Sequence, residues 1–231
     1  VILLVAVKSC WRDYHAGFHD AIRETWAKDF PSNVIVRFFM GVRPERDGSI
    51  LKKDEVEINS KDDYISLPFK TREICKWIGG KRIDHAYLCD NDTYVIPKKL
   101  LALPYELSDY AGYLCQGPSE IGTRFNYRDH QGSYERLAPW CSGGVGYFLS
   151  QKAAIAIANS YPTVWAEDMY AGQVMGDEYD DKNAVISALD INNTAAFHFR
   201  KSKLFPQWTP DLLRRAYREG GLDKIYAEAR Q

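Results

Sequence analysis

Asp90 and Asp92 flank Asn91 in the stretch HAYLCDNDTYV, residues 85–95. The apolar run Ala86 to Cys89 before them reads as a buried strand, so both carboxylates sit at its carboxyl end. In an extended or turning segment, alternate side chains can face one side. Two hard oxygen donors there suit Mn2+ or Mg2+, metals that share their shell with phosphates and water. The competing reading is a solvated Asp-Asn turn, and a DxD triplet alone does not separate the two. A second acidic pair, Glu167-Asp168 in VWAEDMYAG, opens a helix among apolar neighbours. It reads either as a helix cap or as a general base tuned by partial burial. His198, in AAFHFRKS, has the setting of a core histidine, although imidazole also joins carboxylates around Mn2+. Arg200, Lys201 and Lys203 after it could offset a diphosphate or form a solvated surface. In PWCSGGVGYFLS, residues 139–150, Gly143, Gly144 and Gly146 allow a close backbone approach or a tight turn. Their spacing is not that of a dinucleotide-binding loop.

The elements that must hold these residues alternate. VILLVAV at the start is a continuous apolar run, as in a strand covered on both faces. Residues 16–30 carry Phe18, Ile22, Trp26 and Phe30 at helical spacing, and Pro31 stops that helix. A strand is expected at 34–42, and a helix at 62–78 with Pro68 near its middle or at a break. Further strands are HAYLCD and YAGYLCQG (110–117), with a short helix at PKKLLALP between them. After a long polar stretch, 118–139, GYFLS and QKAAIAIANS read as strand and helix. AEDMYAGQVMG opens another helix, AVISALDI and AAFHF are late strands, and the tail from Trp208 is two amphipathic helices broken at Gly220-Gly221. This order implies an α/β fold with a mostly parallel sheet. In such sheets ligands bind beyond the carboxyl ends of the strands.

The 231 residues carry 30 basic and 31 acidic side chains, a net charge of -1, which argues against a dominant phosphate-backbone partner. Arginines interleaved with aromatics in RFNYRDHQGSYERLAPW keep a nucleic-acid acceptor open. No apolar run has the roughly 18 to 20 residues of a membrane span, and the opening strand lacks signal-peptide flanks. The five cysteines, 10, 75, 89, 115 and 141, form no CxxC. They read as mostly buried thiols in a reducing compartment. Asn91-Asp92-Thr93 is also a glycosylation sequon, and a glycan there would block a site built on the aspartates.

Taken in order, LLVAVKS, AIRETW, DDYISLPFKT, LCDNDTYV, PWCSGGVGYFLS and AEDMYAG resemble the motifs of glycosyltransferase family 31. That family includes β-1,3-galactosyl- and N-acetylglucosaminyltransferases and the Fringe enzymes. The resemblance runs from residue 1 to about residue 200. It implies a GT-A, Rossmann-like α/β domain over 1–205 around a central mixed, mostly parallel sheet, with 206–231 a helical extension packed on it. It also implies an inverting transferase using a UDP-sugar, with Mn2+ as cofactor or Mg2+ in its place, and a glycan or other hydroxyl acceptor. Asp92 and His198 would bind the metal, with Asp90 beside the ribose or the metal's waters. Lys8, Ser9, Arg23 and Lys70 would lie at the donor, as would Asn91, Gly143 and Gly144. Asp168 would be the catalytic base, supported by Glu167.

The chain departs from that pattern in three ways. The middle acid of the triplet is Asn91. An arginine frequent just before the IR-x-TW arginine is replaced where His19 and Asp20 stand. No anchor, stem or paired cysteines are evident. The last point leads to the expectation of a cytoplasmic, soluble bacterial or viral relative, with a trimmed Golgi-lumen catalytic domain as the alternative. The rival readings are a GT-A transferase acting on a non-glycan acceptor, such as a hydroxylated base in nucleic acid, and a non-catalytic nucleotide-sugar binding module.

Overall fold

A computed structural model describes residues 1–115, 139–164, 166–180, 188–190, 196–198 and 209–220. The opening apolar run forms β1 (Leu3–Lys8), buried along its whole length. Such a strand must be covered on both faces. It lies between β2 (Val34–Met40) and β4 (His85–Asp90), parallel to both, and β3 (Glu55–Glu57) continues the parallel set beyond β2. Beyond β4 come the antiparallel β9 (Tyr147–Ser150), then β6 (Tyr110–Gly112), then β10 (Ala188–Asp190) parallel to β6. The sheet is therefore mixed and mostly parallel, with β9 reversing the direction.

Strand alternation divides the core in two. Leu3, Val5 and Val7 face one layer with Tyr87 and Cys89; Leu4 and Ala6 face the other with Ala86 and Leu88. The first layer is closed by Phe18, Ala21 and Ile22 of α2 (Phe18–Glu24), by Trp26, and by Leu213 and Ala216 of α7 (Pro210–Arg218). The second is closed by α3 (Leu67–Gly79), α5 (Gln151–Asn159) and the first turns of α6 (Glu167–Asp180). The Ser150 hydroxyl caps α5 by accepting from the N–H of Ala153, and Thr209 caps α7 in the same way through Leu212. Among the described residues, no helix is long and apolar enough to cross a membrane. All five cysteines are thiols, and Cys75, Cys89 and Cys141 are buried.

Three expectations change in detail. The helix expected over 16–30 is α2 and a 3-10 turn at Trp26–Asp29; a separate short α1 (Trp11–His15) precedes it, and Gly17, at φ 88°, divides the two. The helix expected from 62 starts at Leu67, with Pro68 in its first turn, where a missing N–H costs no hydrogen bond. That leaves 62–66 as a loop whose carboxylates are free to reach elsewhere. The strand expected over 110–117 divides into β6 and β7 (Leu114–Cys115), and β7 pairs with β8 (Trp140–Cys141) in a separate ribbon. Most of the polar stretch 118–139 and the second tail helix lie outside the described residues.

Entry into β9 depends on Gly146, which holds φ 82°. A Cβ there would stand 2.6 Å from the Tyr87 ring and 2.8 Å from the Leu88 carbonyl oxygen. Gly146→Ala is therefore expected to lower unfolding free energy by about 2 kcal/mol or more, measured by urea denaturation; an unchanged midpoint would contradict this packing.

Candidate active site

Parallel pairing puts Lys8 of β1 in register with Asp90 of β4 at the carboxyl edge of the sheet. The Lys8 side chain is 1% exposed. A buried ammonium costs several kcal/mol unless anions meet it, and two do. Asp90 Oδ1 lies 3.2 Å from Nζ, and Nζ also donates to Glu167 Oε1 in a short bond. Burial favours loss of the proton, but Asp90 and Glu167 outweigh it and hold Lys8 above the ordinary lysine range. The other oxygen of Glu167 accepts from Thr71 Oγ1 at 3.1 Å and from the Tyr147 hydroxyl at 2.8 Å. One buried carboxylate thus joins β1, α3, β9 and α6.

Asp168 follows it and is only partly buried. Its Oδ2 accepts from the Gly143 N–H at 3.0 Å and its Oδ1 from the Met169 N–H at 2.8 Å. Burial and the neighbouring Glu167 charge push the Asp168 carboxyl up to about 6, against the pull of the Gly143 bond. Gly143 must lack a side chain, since a Cβ would run into the Glu167 carboxylate.

A cleft of about 510 Å³ opens at this edge of the sheet. Lys8, Arg12 and Lys70 line it, against five carboxylates: Asp13, Asp62, Asp63, Asp90 and Asp92. All three cations are already engaged: Arg12 Nε donates to Asp13 Oδ1 at 2.8 Å. Lys8 is held as described, and Lys70 Nζ donates to Asp62 Oδ1 and to the Ser9 carbonyl, both at 2.5 Å. Asp62 also accepts the N–H of Trp11 at 2.5 Å and of Gly41 at 2.8 Å, which ties the β1 and β2 exits to α3. The cleft is therefore acidic although the chain is nearly neutral. Burial, then Asp90 and Asp13, push the Asp92 carboxyl up to about 7. A carboxylate crowded in this way gains from a nearby cation.

β5 (Thr93–Val95) follows Asp92 directly and pairs antiparallel with β11 (Ala196–His198). The register sets His198 opposite Thr93, so the chain brings the late histidine beside the acidic loop at the level of the backbone. Among the described residues, no three acidic, histidine or cysteine side chains already converge as a metal cage. Two carboxylates and an imidazole position at one sheet edge do match the donor types that bind Mn2+.

Lys8, Ser9, Lys70, Asp90, Asn91 and Asp92 all line the cleft. Asp168 does not line it, but it neighbours Glu167 at the Lys8 floor. Tyr64 lines the cleft wall, and burial, then the charges of Asp90 and Asp168, shifts its hydroxyl up. Arg23 is not at the donor position expected for it. Its guanidinium grips Asp54 through two bonds of 2.8 Å and also meets Asp20 and Glu55. Gly143 and Gly144 brace the acidic motifs rather than line the cleft: the Gly144 carbonyl accepts from Thr93 Oγ1 at 3.1 Å. Sequence reasoning missed Asp13, Asp62 and Tyr64. Asp62 and Tyr64 stand in the DDYISLPFKT stretch, where a loop ahead of a Pro-started helix was the available signal. Asp13, on a five-residue helix, had none.

The family model described as Galactosyltransferase matches residues 19–180, well over half of the chain. A hydroxyproline O-galactosyltransferase of Arabidopsis thaliana, GALT2, is 27% identical over 158 residues, which cover 61% of this chain. The chain spans only 23% of the length of that relative. A plant relative gives no support to the expectation of a bacterial or viral source.

Lys8→Met would leave Glu167 buried without its cation, at a cost of about 3–5 kcal/mol. The double variant Lys8→Met/Glu167→Gln is expected to regain part of that loss in denaturant melts. A single variant as stable as the wild type would contradict the central role given to this pair.

Proposed function

The chain belongs to the galactosyltransferase family, and on that premise we propose that it is a metal-dependent, inverting hexosyltransferase. It moves a sugar, galactose first among the candidates, from a UDP-sugar to a hydroxyl on a glycan or glycoprotein. The observation that carries this reading is the excess of carboxylates in the cleft, five against three cations that are all already engaged. A nucleoside diphosphate is repelled by such a cleft unless a divalent cation accompanies it.

Asp92 and His198 are the residues that would hold that cation, with Asp90 on the donor side and its position fixed by Lys8. When bound, Mn2+ neutralises the charge that builds on the departing diphosphate. The protein's own part of the chemistry falls to Asp168. Its two oxygens are pinned by backbone N–H groups, so the carboxylate is held rigid, and each oxygen keeps a lone pair for a substrate hydroxyl. With a pKa near 6 it is ionised at neutral pH yet basic enough to take a proton. As the acceptor oxygen bonds to the anomeric carbon, the bond to the UDP oxygen breaks and the hydroxyl proton passes to Asp168. One displacement from the opposite face inverts the configuration.

The acceptor of the Arabidopsis relative, hydroxyproline, marks a protein-borne hydroxyl as a substrate class to include in any screen. Most of RFNYRDHQGSYERLAPW lies outside the described residues, so the nucleic-acid alternative draws no added support. No observation favours a module without catalysis.

Asp168→Asn is expected to lower turnover by about 10²- to 10⁴-fold while leaving UDP binding with Mn2+ intact. In the wild type, kcat/KM should rise with pH through about 6 and then level off, because only the ionised carboxylate accepts the proton. Release of UDP from a panel of UDP-sugars measures both; an Asp168→Asn variant at wild-type rate would remove the base assignment.

A further inference from the structure

Asn91 is the neutral member of the acidic loop, and it is clamped on three sides. Its backbone N–H donates to the Lys8 carbonyl at 3.0 Å. Its side-chain amide donates to Asp13 Oδ2 and to Ser9 Oγ, both at 3.0 Å. The amide cannot be turned around, because its oxygen would then face the Asp13 carboxylate. Ser9 Oγ therefore accepts, and its own proton must go elsewhere. His19 Nε2 lies 2.8 Å away to receive it. An accepting Nε2 leaves the ring hydrogen on Nδ1, and Glu55 Oε1 lies 3.1 Å from that atom.

The direction of the whole chain is fixed by its ends: an amide N–H that can only donate, and a carboxylate that only accepts. It runs from Asn91 through Ser9 and His19 to Glu55. The imidazole is 1% exposed, stacked on Phe38 at 4.3 Å and met edge-on by Tyr14 at 5.4 Å. Arg23 shares the Glu55 oxygen, and Asp54 holds Arg23 from the other side. A doubly protonated ring would donate to Ser9 Oγ, and the Ser9 hydrogen would lose its acceptor and have to turn away from His19. Neither His19 nor Glu55 lines the cleft, and neither has a part in the chemistry described above.

We propose that His19 is a positioning residue for donor binding: as the Nδ1–H tautomer it fixes Ser9 Oγ, and through it the Asn91 amide between Asp90 and Asp92. This rests on the reading of the cleft as a site for a cation and a nucleoside diphosphate. The asparagine thereby has a physical reason. An aspartate at 91 would confront Asp13 and would take the Ser9 proton away from His19.

Two measurements on the full chain test it: imidazole 15N NMR of His19 in wild type and Ser9→Ala, and titration of Ser9→Ala, His19→Phe and His19→Gln with UDP in the presence of Mn2+. The wild type is expected to show Nδ1 protonated and Nε2 bare, with the Nε2 resonance moving when Ser9 loses its hydroxyl. Affinity should fall about 5- to 10-fold in Ser9→Ala and His19→Phe, while His19→Gln, whose carbonyl can still accept from Ser9, should stay within about 3-fold. An Nε2–H or doubly protonated ring, or a Ser9→Ala variant with wild-type affinity, would overturn the relay. Wild-type protein that failed to bind UDP with Mn2+ would sink the functional reading instead, and the tautomer alone would then judge the relay.

Discussion

A lysine side chain is buried at the carboxyl end of the central strand, and it needs anions on two sides. Lys8 obtains them from Asp90 on the next strand and from Glu167 at the start of α6. Removing Lys8 would leave the buried Glu167 carboxylate where water cannot compensate it. The pairing therefore fixes the spacing between two acidic motifs that are far apart in sequence. Asp92 follows two residues after one partner, and Asp168 directly follows the other. The loop that carries Asp92 and the helix start that carries Asp168 are positioned by the same ammonium, which reaches each through the neighbouring carboxylate.

Thr71, Tyr147 and Lys70 extend the arrangement. Thr71 and Tyr147 satisfy the second oxygen of Glu167. Lys70, one residue earlier on α3, takes the Ser9 carbonyl and Asp62. Adjacent residues on one helix thus hold opposite sides of the cleft. With Lys8, Lys70 and Arg12 all engaged, the cleft still holds five carboxylates against three cations. Burial, then the neighbouring Asp90 and Asp13 charges, raises Asp92. A chain with a net charge of -1 can therefore present a strongly acidic site.

Much of the scaffold was legible in the sequence because its signals are local. Continuous apolar runs marked β1 and β4, and the stretches 62–78 and QKAAIAIANS read as the helices that became α3 and α5. The acidic loop, Glu167-Asp168 and Lys8 stood at element ends, where function concentrates in α/β sheets. The missing parts were those decided by tertiary contact. Arg23 looked like a donor contact, but its place on α2 turns it toward Asp54 and Glu55. Gly143 looked like a ligand-facing glycine, yet the constraint on it is the Glu167 carboxylate. Asp13 and His19 carried no pattern of their own. Their roles arise only when β1, β2 and β4 align their exits.

The central claim is that this acidic cleft accepts a nucleoside diphosphate only together with a divalent cation. Calorimetric titration of the full chain with UDP, in Mn2+ and then in EDTA, tests it most directly. Saturable binding with Mn2+ is expected, abolished by EDTA and strongly weakened in Asp92→Ala. Equal UDP affinity in Mn2+ and in EDTA would contradict it.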